Sequence, residues 1–330
     1  MLSFTTSKQF VTTRGLMYNY RYAPSQAGKP TLLLIHGFPS TSFDWRHQIA
    51  FFVAKGYGIV APDMLGYGET EKPSDPLAYR GSLMARDLVD ILDAEKAERV
   101  IAIGHDWGAS TTSYLEAQHQ DRFIGFTNMA AGFMLCRGFK LEEMLSMYKQ
   151  MFGQDMMGYW AFFDKNEAAG ITEKNLDSLY DLAFPKDIEY FKTIIHPIGA
   201  TDAFIGEGKR LTSADYLAEE DRELFRESFS KGGLTGPLNW YKVASRGLQD
   251  TDGLELSNDK VKITKPVLYI GGQQDCVCKP EMQKPDMEKI CEDLQFEVFD
   301  CDYWIQLALP DRVNATVEKW IEAKGLSGRA

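Results

Sequence analysis

The chain has 330 residues, which is long enough for one large core with an inserted second module. Hydrophobic residues make up 44% and charged residues 25% of the sequence, the balance of an ordinary soluble globular protein. The net charge of −11 and the lack of a Lys/Arg-rich run argue against a nucleic-acid-binding protein.

Strand-like and helix-like segments alternate through the first part of the chain, as in a largely parallel sheet covered by helices. The buried strands are continuous apolar runs that end at Gly-rich or Pro-rich loops. In chain order, we predict a hairpin (QFVTTRG and MYNYRYA), a strand TLLLIHG, a helix over 42–54, a strand YGIVAPD, a helix over 79–95, a strand RVIAIGH, a helix over 107–119 and a strand FIGFTNMA.

The pattern changes from about residue 134 to residue 248, where Met, Phe and Tyr are dense and helical spacing dominates. The strand pattern resumes in KPVLYIGG and FEVFD, and a final helix is predicted over 312–324. We therefore predict an α/β fold with a core domain formed by residues 1–133 and 248–330 and a helical cap domain formed by residues 134–247.

The start of the chain lacks the basic residues and the apolar run of a signal peptide, and no apolar run has the length of a membrane span. The five cysteines are not spaced like a zinc site, and the histidines and carboxylates show no ligand spacing. We expect a cytoplasmic protein with free thiols, no membrane span, no metal and no cofactor.

The pentad Gly104-His105-Asp106-Trp107-Gly108 lies between a predicted buried strand and a predicted helix. It fits the pattern of a sharp strand-to-helix turn that presents a nucleophile at its apex, and the two glycines permit the strained backbone. The apex residue is Asp106 instead of serine, so the covalent intermediate is an alkyl ester rather than an acyl-serine. The alternative is that Asp106 only caps the following helix.

The loop His36-Gly37-Phe38-Pro39 directly follows the strand TLLLI. The backbone N–H of Phe38 can join that of Trp107 in an anion hole with two donors. We interpret His36, like His105 in the elbow, as a packing and loop-fixing residue rather than a base. Pro39 and His105 are also expected to border the substrate pocket.

In the HGFP loop, the elbow GHDWGA at 104–109 and the order of the domains, the chain resembles the epoxide hydrolases of the α/β-hydrolase superfamily over nearly its full length. This resemblance implies the α/β-hydrolase fold: a mostly parallel sheet flanked by helices, with an inserted helical cap. It implies a small apolar epoxide-type substrate as the partner. It also implies that Asp275, in the loop after PVLYIGG, is the acid of the catalytic triad.

Two cap tyrosines of the resembled family donate hydrogen bonds to the epoxide oxygen. Tyr241 in LNWY and Tyr159 in GYW are similar to these two motifs. Two phenols suit the chemistry, because they lower the charge cost of forming an alkoxide. Tyr148 competes with Tyr159 for this position, and the tyrosines can also be read as ordinary aromatic residues of an apolar cap. Trp240, beside Tyr241, is expected to line the pocket.

The general base of the resembled family is a histidine in a Cys-Gly-His-Trp segment, and here the segment reads Cys301-Asp302-Tyr303-Trp304. Tyr303 therefore occupies the position of the catalytic histidine, and Trp304 is expected at the pocket. At a usual pKa near 10, only about one tyrosine in a thousand is ionised at neutral pH. Loss of a positioned base costs on the order of 10²–10⁴ in rate, and this loss falls on ester hydrolysis rather than on ring opening. His196 in the cap is the alternative base.

Four functions stay open at this point. The first is an enzyme, such as a cyclase or isomerase, that opens an epoxide without ordinary hydrolytic turnover, with Asp106 as nucleophile or as base towards a substrate hydroxyl. The second is a slow residual epoxide hydrolase. The third is a non-catalytic protein that binds a small apolar ligand. The fourth, a haloalkane dehalogenase with Trp107 as halide donor, is disfavoured by the LNWY motif and needs the same missing base. We predict the first.

Overall fold

The computed structural model of the protein describes residues 4–138, 140–252, 255–257 and 260–328. Within these residues one mixed sheet forms the centre of the fold. Its strands are β1 (Thr6–Val11), β2 (Met17–Ala23), β3 (Thr31–Ile35), β4 (Gly58–Pro62), β5 (Val100–His105), β6 (Gly125–Met129), β7 (Val267–Gly272) and β8 (Leu294–Phe299).

The strands lie in the order β1-β2-β4-β3-β5-β6-β7-β8. The pairs β1–β2 and β2–β4 are antiparallel, and the other neighbouring pairs are parallel. Parallel strands need crossover helices on the faces of the sheet, which explains why the central strands are apolar runs without alternation. The predicted α/β architecture with a mostly parallel sheet flanked by helices is confirmed.

The helices of the described residues cover the sheet and fill the stretch between β6 and β7. They are α1 (Arg46–Ala54), α2 (Gly81–Ala94), α3 (Trp107–His119), α4 (Leu141–Phe152), α5 (Gly158–Phe163), α6 (Ala168–Glu173), α7 (Leu176–Ala183), α8 (Ala200–Gly206), α9 (Glu219–Gly232), α10 (Thr235–Ser245), α11 (Pro280–Ile290), α12 (Ile305–Ala308) and α13 (Pro310–Ala323).

The stretch between β6 and β7, residues 130–266, is called the helical insertion below. Its described residues form α4 to α10 and contribute no strand to the sheet. The predicted cap boundaries, residues 134 and 247, fall within the helical insertion, and the division into two domains stays a prediction. None of the helices in the described part of the chain combines the length and apolar character that a membrane crossing requires.

The register of the central strands determines where the site forms. In the parallel pair β3–β5, Ile35 is level with Gly104, so the chain leaves both strands at the same height. The loops after β7 and β8 emerge at the same edge, because those strands are also parallel to β5. The carboxyl ends of parallel strands are where ligands bind in open α/β sheets. The side chains of β3 are fully buried apart from Thr31, and each such Leu or Ile contributes about 1.5–3 kcal/mol of transfer free energy to this scaffold.

Candidate active site

The elbow between β5 and α3 is a strained turn centred on Asp106. Its backbone has φ 59° and ψ −127°, a conformation that a residue with a side chain rarely adopts. A Cβ on Gly104 would lie 2.3 Å from the carbonyl oxygen of Gly108, and a Cβ on Gly108 would lie 2.0 Å from that of Ile35. Both glycines are therefore needed for the backbones to pass this closely, and the turn projects the carboxylate of Asp106 towards the helical insertion.

The carboxylate of Asp106 is held by donors on both of its oxygens. The backbone N–H of Phe38 donates to Oδ1 at 2.6 Å, and the hydroxyl of Tyr303 donates to Oδ2. Burial raises the pKa of Asp106 to about 6, and hydrogen bonds from Phe38, Tyr303 and the Trp107 N–H oppose this increase. At neutral pH the group is therefore mainly a carboxylate, although it lies in an apolar setting.

Tyr303 lies directly against the elbow. Its carbonyl oxygen accepts a hydrogen bond from Nε2 of His105 at 3.0 Å, and its hydroxyl contacts Asp106. Burial, followed by the negative charge of Asp106, raises the pKa of Tyr303 far above its usual value. The phenol is consequently a neutral hydrogen-bond donor over the physiological pH range.

Asp275 lies in the loop after β7 and is 3% exposed. Its Oδ1 accepts hydrogen bonds from the backbone N–H groups of Val277 at 2.7 Å and Cys278 at 2.8 Å. This arrangement is an Asx turn, which aspartate residues commonly form in loops. Its Oδ2 has no hydrogen-bond partner among the described residues, and burial raises its pKa to about 7. No direct hydrogen bond joins Asp275 to Tyr303, because the phenol reaches Asp106 instead.

Tyr159 of α5 and Tyr241 of α10 face the same cavity as Asp106. Their ring centroids are 6.0 Å apart, and that of Tyr241 lies 5.2 Å from the ring of Trp107. Burial is the main reason why the pKa of each phenol is raised well above its usual value, so both are neutral donors. Tyr148 lines a second cavity and not this one.

Two cavities meet at Asp106, Tyr159 and Val277. The narrow cavity has a volume of about 60 Å³ and the wide cavity about 350 Å³. Pro39, Tyr241, Tyr303 and Trp304 line only the narrow one, together with apolar residues of the helical insertion: Phe163, Leu179, Leu182, Ala183, Phe191 and Ile195. The wide cavity is lined by Trp107, Trp160, Tyr148, Cys278 and Gln283, and by Met134, Met144, Met147 and Met157, with Lys140 and Glu143 also on its wall.

Two residues expected at the pocket do not line either cavity. His105 is fully buried behind the elbow, since neighbouring residues of a strand point to opposite sides and Asp106 takes the pocket side. Trp240 is turned away from Tyr241 around α10, and its Nε1–H donates to the Leu65 carbonyl at 2.9 Å. We correct both expectations: these side chains pack behind the site.

The remaining histidines of interest are fixed by backbone contacts. Nδ1 of His36 donates to the Gly37 carbonyl, and Nε2 accepts from the Met64 N–H at 2.9 Å, while burial lowers the pKa to about 4. This neutral ring holds the loop that presents Phe38. His196 donates from Nε2 to the Cys276 carbonyl at 3.1 Å and lines neither cavity, so its ring does not face Asp106 through them.

The sequence of this chain is similar to a known protein family and to several known proteins. Residues 30–308 match the family model described as alpha/beta hydrolase fold. The chain is 30% identical to epoxide hydrolase 2 of Siraitia grosvenorii over 71% of each chain. It is 29% identical to bifunctional epoxide hydrolase 2 of Mus musculus, covering 89% of this chain and 52% of that protein. The chain thus spans about half the length of the mammalian bifunctional relatives.

Two solved structures share the fold. An epoxide hydrolase from an endophytic Streptomyces has a TM-score of 0.81 at 23% identity, covering 97% of this chain and 96% of that chain. Epoxide hydrolase A of Mycobacterium thermoresistibile has a TM-score of 0.78 at 24% identity, covering 96% and 98% respectively. At these identities the likeness concerns the fold alone.

Proposed function

This chain belongs to the α/β-hydrolase fold family as an epoxide-hydrolase-like member, and from that premise we propose that it opens an epoxide ring on a small apolar organic substrate without ordinary hydrolytic turnover. One observation carries the proposal: Oδ2 of Asp106 is hydrogen-bonded to the phenol of Tyr303, where a hydrolase needs a base. The carboxylate and the donors for ring opening are present, while the group that activates water is replaced.

Ring opening uses Asp106, Tyr159 and Tyr241. Oδ2 of Asp106 attacks one epoxide carbon, the bond from that carbon to the ring oxygen breaks, and its electron pair stays on the oxygen. A proton from Tyr159 or Tyr241 neutralises this alkoxide. Two observations support this step. Both phenols line the cavity over Asp106 and are neutral, and Oδ1 of Asp106 accepts a hydrogen bond from the N–H of Phe38.

Hydrolysis of the resulting alkyl ester is the slow step in this proposal. Water must lose a proton as it attacks the ester carbon, and a phenol with a raised pKa does not accept that proton at neutral pH. The ester then persists, or a hydroxyl of the substrate displaces Asp106 and gives a cyclised product. In that displacement the hydroxyl oxygen forms the new C–O bond, its proton goes to the tyrosinate left by ring opening, and Asp106 leaves as a carboxylate.

A slow residual hydrolase is the second candidate, and one observation favours it. Asp275 has one oxygen that no described residue hydrogen-bonds, and burial raises its pKa to about 7, so part of its population is a competent base at neutral pH. Asp275 lines neither cavity, however, and a water that it activates has to lie between it and Asp106. This route ranks second because it lacks a direct path to the ester.

The test is intact-protein mass spectrometry after incubation with a panel of apolar epoxides. We expect either a gain of the substrate mass, mapped to Asp106, or release of an internally cyclised product. Asp106→Asn should give neither outcome, and Tyr241→Phe should slow ring opening without changing the product. If no adduct, cyclised product or diol forms across the panel, the site is a binding pocket and the proposal is wrong.

A further inference from the structure

Residues 301–304, called the tyrosine loop below, lie in the connection between β8 and α12 and contact the helical insertion. Two of its residues, Asp302 and Tyr303, are the positions at which the chain departs from the family segment Cys-Gly-His-Trp. The mechanism proposed above uses Tyr303 and leaves Asp302 without a role. A partly buried carboxylate next to a residue that lines the narrow cavity needs a structural or functional reason, because burial opposes its charge.

The tyrosine loop is tied to the helical insertion by two side chains. The hydroxyl of Tyr216, in the connection between α8 and α9, donates to Oδ2 of Asp302 at 2.9 Å. Oδ1 of the same carboxylate accepts from the backbone N–H of Trp304 at 3.0 Å. The indole Nε1–H of Trp304 donates to the Ala183 carbonyl at 2.6 Å, and its ring centroid lies 4.4 Å from that of Phe184.

On the opposite side the loop is tied to the sheet and the elbow. A Cβ on Gly272 of β7 would lie 2.2 Å from the carbonyl oxygen of Asp302, so the loop backbone packs directly on that strand. The carbonyl of Tyr303 accepts from His105, and its phenol donates to Asp106. The loop thus connects Tyr216 of the helical insertion to the carboxylate of Asp106 through two adjacent residues.

We propose that Tyr216 and Asp302 are positioning residues for ring opening: their hydrogen bond holds the tyrosine loop so that the phenol of Tyr303 stays on Oδ2 of Asp106. This inference rests on the function proposed above. The phenol stabilises the carboxylate form of Asp106 in a setting whose burial favours the neutral acid. Loosening the loop therefore reduces the fraction of Asp106 that is ionised at a given pH, and only the ionised form attacks an epoxide.

Several groups, including the tyrosine loop, influence the pKa of Asp106. The donors are the N–H groups of Phe38 and Trp107 and the hydroxyl of Tyr303. The titratable groups that are close enough to interact electrostatically with Asp106 are Tyr67, Tyr159, Tyr241, Cys278, Asp275 and Tyr303. The pKa values of these phenols, of this thiol and of Asp275 are all raised, first of all by burial. Removal of one hydroxyl near Asp302 changes none of them directly.

The experiment measures the pH midpoint of Asp106 alkylation by one accepted epoxide, followed by intact mass. Tyr303→Phe should move the midpoint upward by about one unit, as expected for the loss of a charge-assisted hydrogen bond. Tyr216→Phe should move it in the same direction by a few tenths of a unit, roughly a quarter to a half of that effect. Tyr190→Phe is the matched control, since Tyr190 is 40% exposed and should leave the midpoint unchanged.

The double variant decides whether Tyr216 acts through Tyr303. In the Tyr303→Phe background, Tyr216→Phe should cause no further change, because the phenol that it positions is absent. An unchanged midpoint in Tyr216→Phe, or an equal change in both backgrounds, would overturn the inference while leaving the proposed function intact.

A second readout needs no epoxide. The carboxyl carbon of Asp106, identified by the signal lost in Asp106→Asn, can be titrated by ¹³C nuclear magnetic resonance in the same variants. We expect the titration to show the same order of increases in the pKa of Asp106. Tyr303→Phe should give the largest increase, Tyr216→Phe a smaller one and Tyr190→Phe none. If the epoxide panel fails but this order holds, the proposed function is wrong and the positioning role stands. If the order fails in the titration, the positioning role is wrong.

Discussion

Restoring the family residues, Asp302→Gly together with Tyr303→His, should return hydrolytic turnover to this site. The structure supplies the reason: Oδ2 of Asp275 is buried and has no hydrogen-bond partner in the part of the chain that the structure describes, although an acidic partner is what orients a catalytic imidazole. An imidazole in the tyrosine loop can donate one N–H to that oxygen and direct its other nitrogen towards a water next to Asp106.

The size of the effect follows from two contributions. A positioned base provides about 10²–10⁴ in rate, which corresponds to roughly 2.7–5.4 kcal/mol of activation free energy. Giving Asp275 a donor also removes a buried unsatisfied acceptor, a feature that costs on the order of 1–3 kcal/mol. We therefore expect diol formation to rise by about 10²–10⁴, while the new donor to Asp275 partly offsets the loss of the Asp302 hydrogen bonds to Tyr216 and Trp304.

The assay is a single-turnover experiment on the preformed Asp106 adduct, in which decay of the adduct mass and appearance of diol are followed together. Tyr303→His alone keeps the contact of Asp302 with Tyr216 and serves as the matched variant. Tyr303→Phe removes the phenol without supplying a base, so its ester should be as persistent as that of the unmodified protein. The reasoning is refuted if the restored variant is folded and alkylated normally but forms diol no faster.

Two further predictions concern the first half of the reaction. Burial raises the pKa of Asp106 to about 6, and only the carboxylate form attacks. The alkylation rate should therefore reach its maximum well above pH 6 and fall tenfold per pH unit below it. A rate that is flat between pH 4.5 and 8 would contradict this. Gly37→Ala would place a Cβ 2.1 Å from Oδ1 of Asp106, so the carboxylate has to move. Because a misplacement of 1 Å costs about 10² in rate, we expect the alkylation rate to fall at least about tenfold. Gly170→Ala, whose Cβ meets nothing within 4 Å, is the control and should leave the alkylation rate unchanged.

The parts of the site that follow from local backbone rules could be predicted from the sequence. The two glycines of the elbow and the apolar runs before the HGFP loop and the elbow require a strand-to-helix turn beside a neighbouring strand end. The parallel register of β3 and β5 then brings Phe38 next to Asp106. These features depend on short spacings and on strand pairing, both of which are visible in a single sequence.

Other parts depend on side-chain reach and on long-range packing. The hydroxyl of Tyr303 donates to Asp106, a contact that no local pattern in the sequence indicates. The contact of Tyr216 with Asp302 spans 86 residues and has no local pattern. His105 and Trp240 were placed at the pocket because they adjoin functional residues, whereas adjacent residues on a strand or helix point in different directions.

The central claim is that ring opening is retained and ester hydrolysis is lost. It is tested most directly by forming the Asp106 adduct in water enriched in ¹⁸O, removing excess epoxide, and following the protein mass and the released products over time. The account predicts that the adduct mass persists for many times its formation half-time, or that a cyclised product without ¹⁸O is released. Rapid decay to a diol with ¹⁸O entering Asp106, at the rate of the restored Asp302→Gly, Tyr303→His variant, would contradict it.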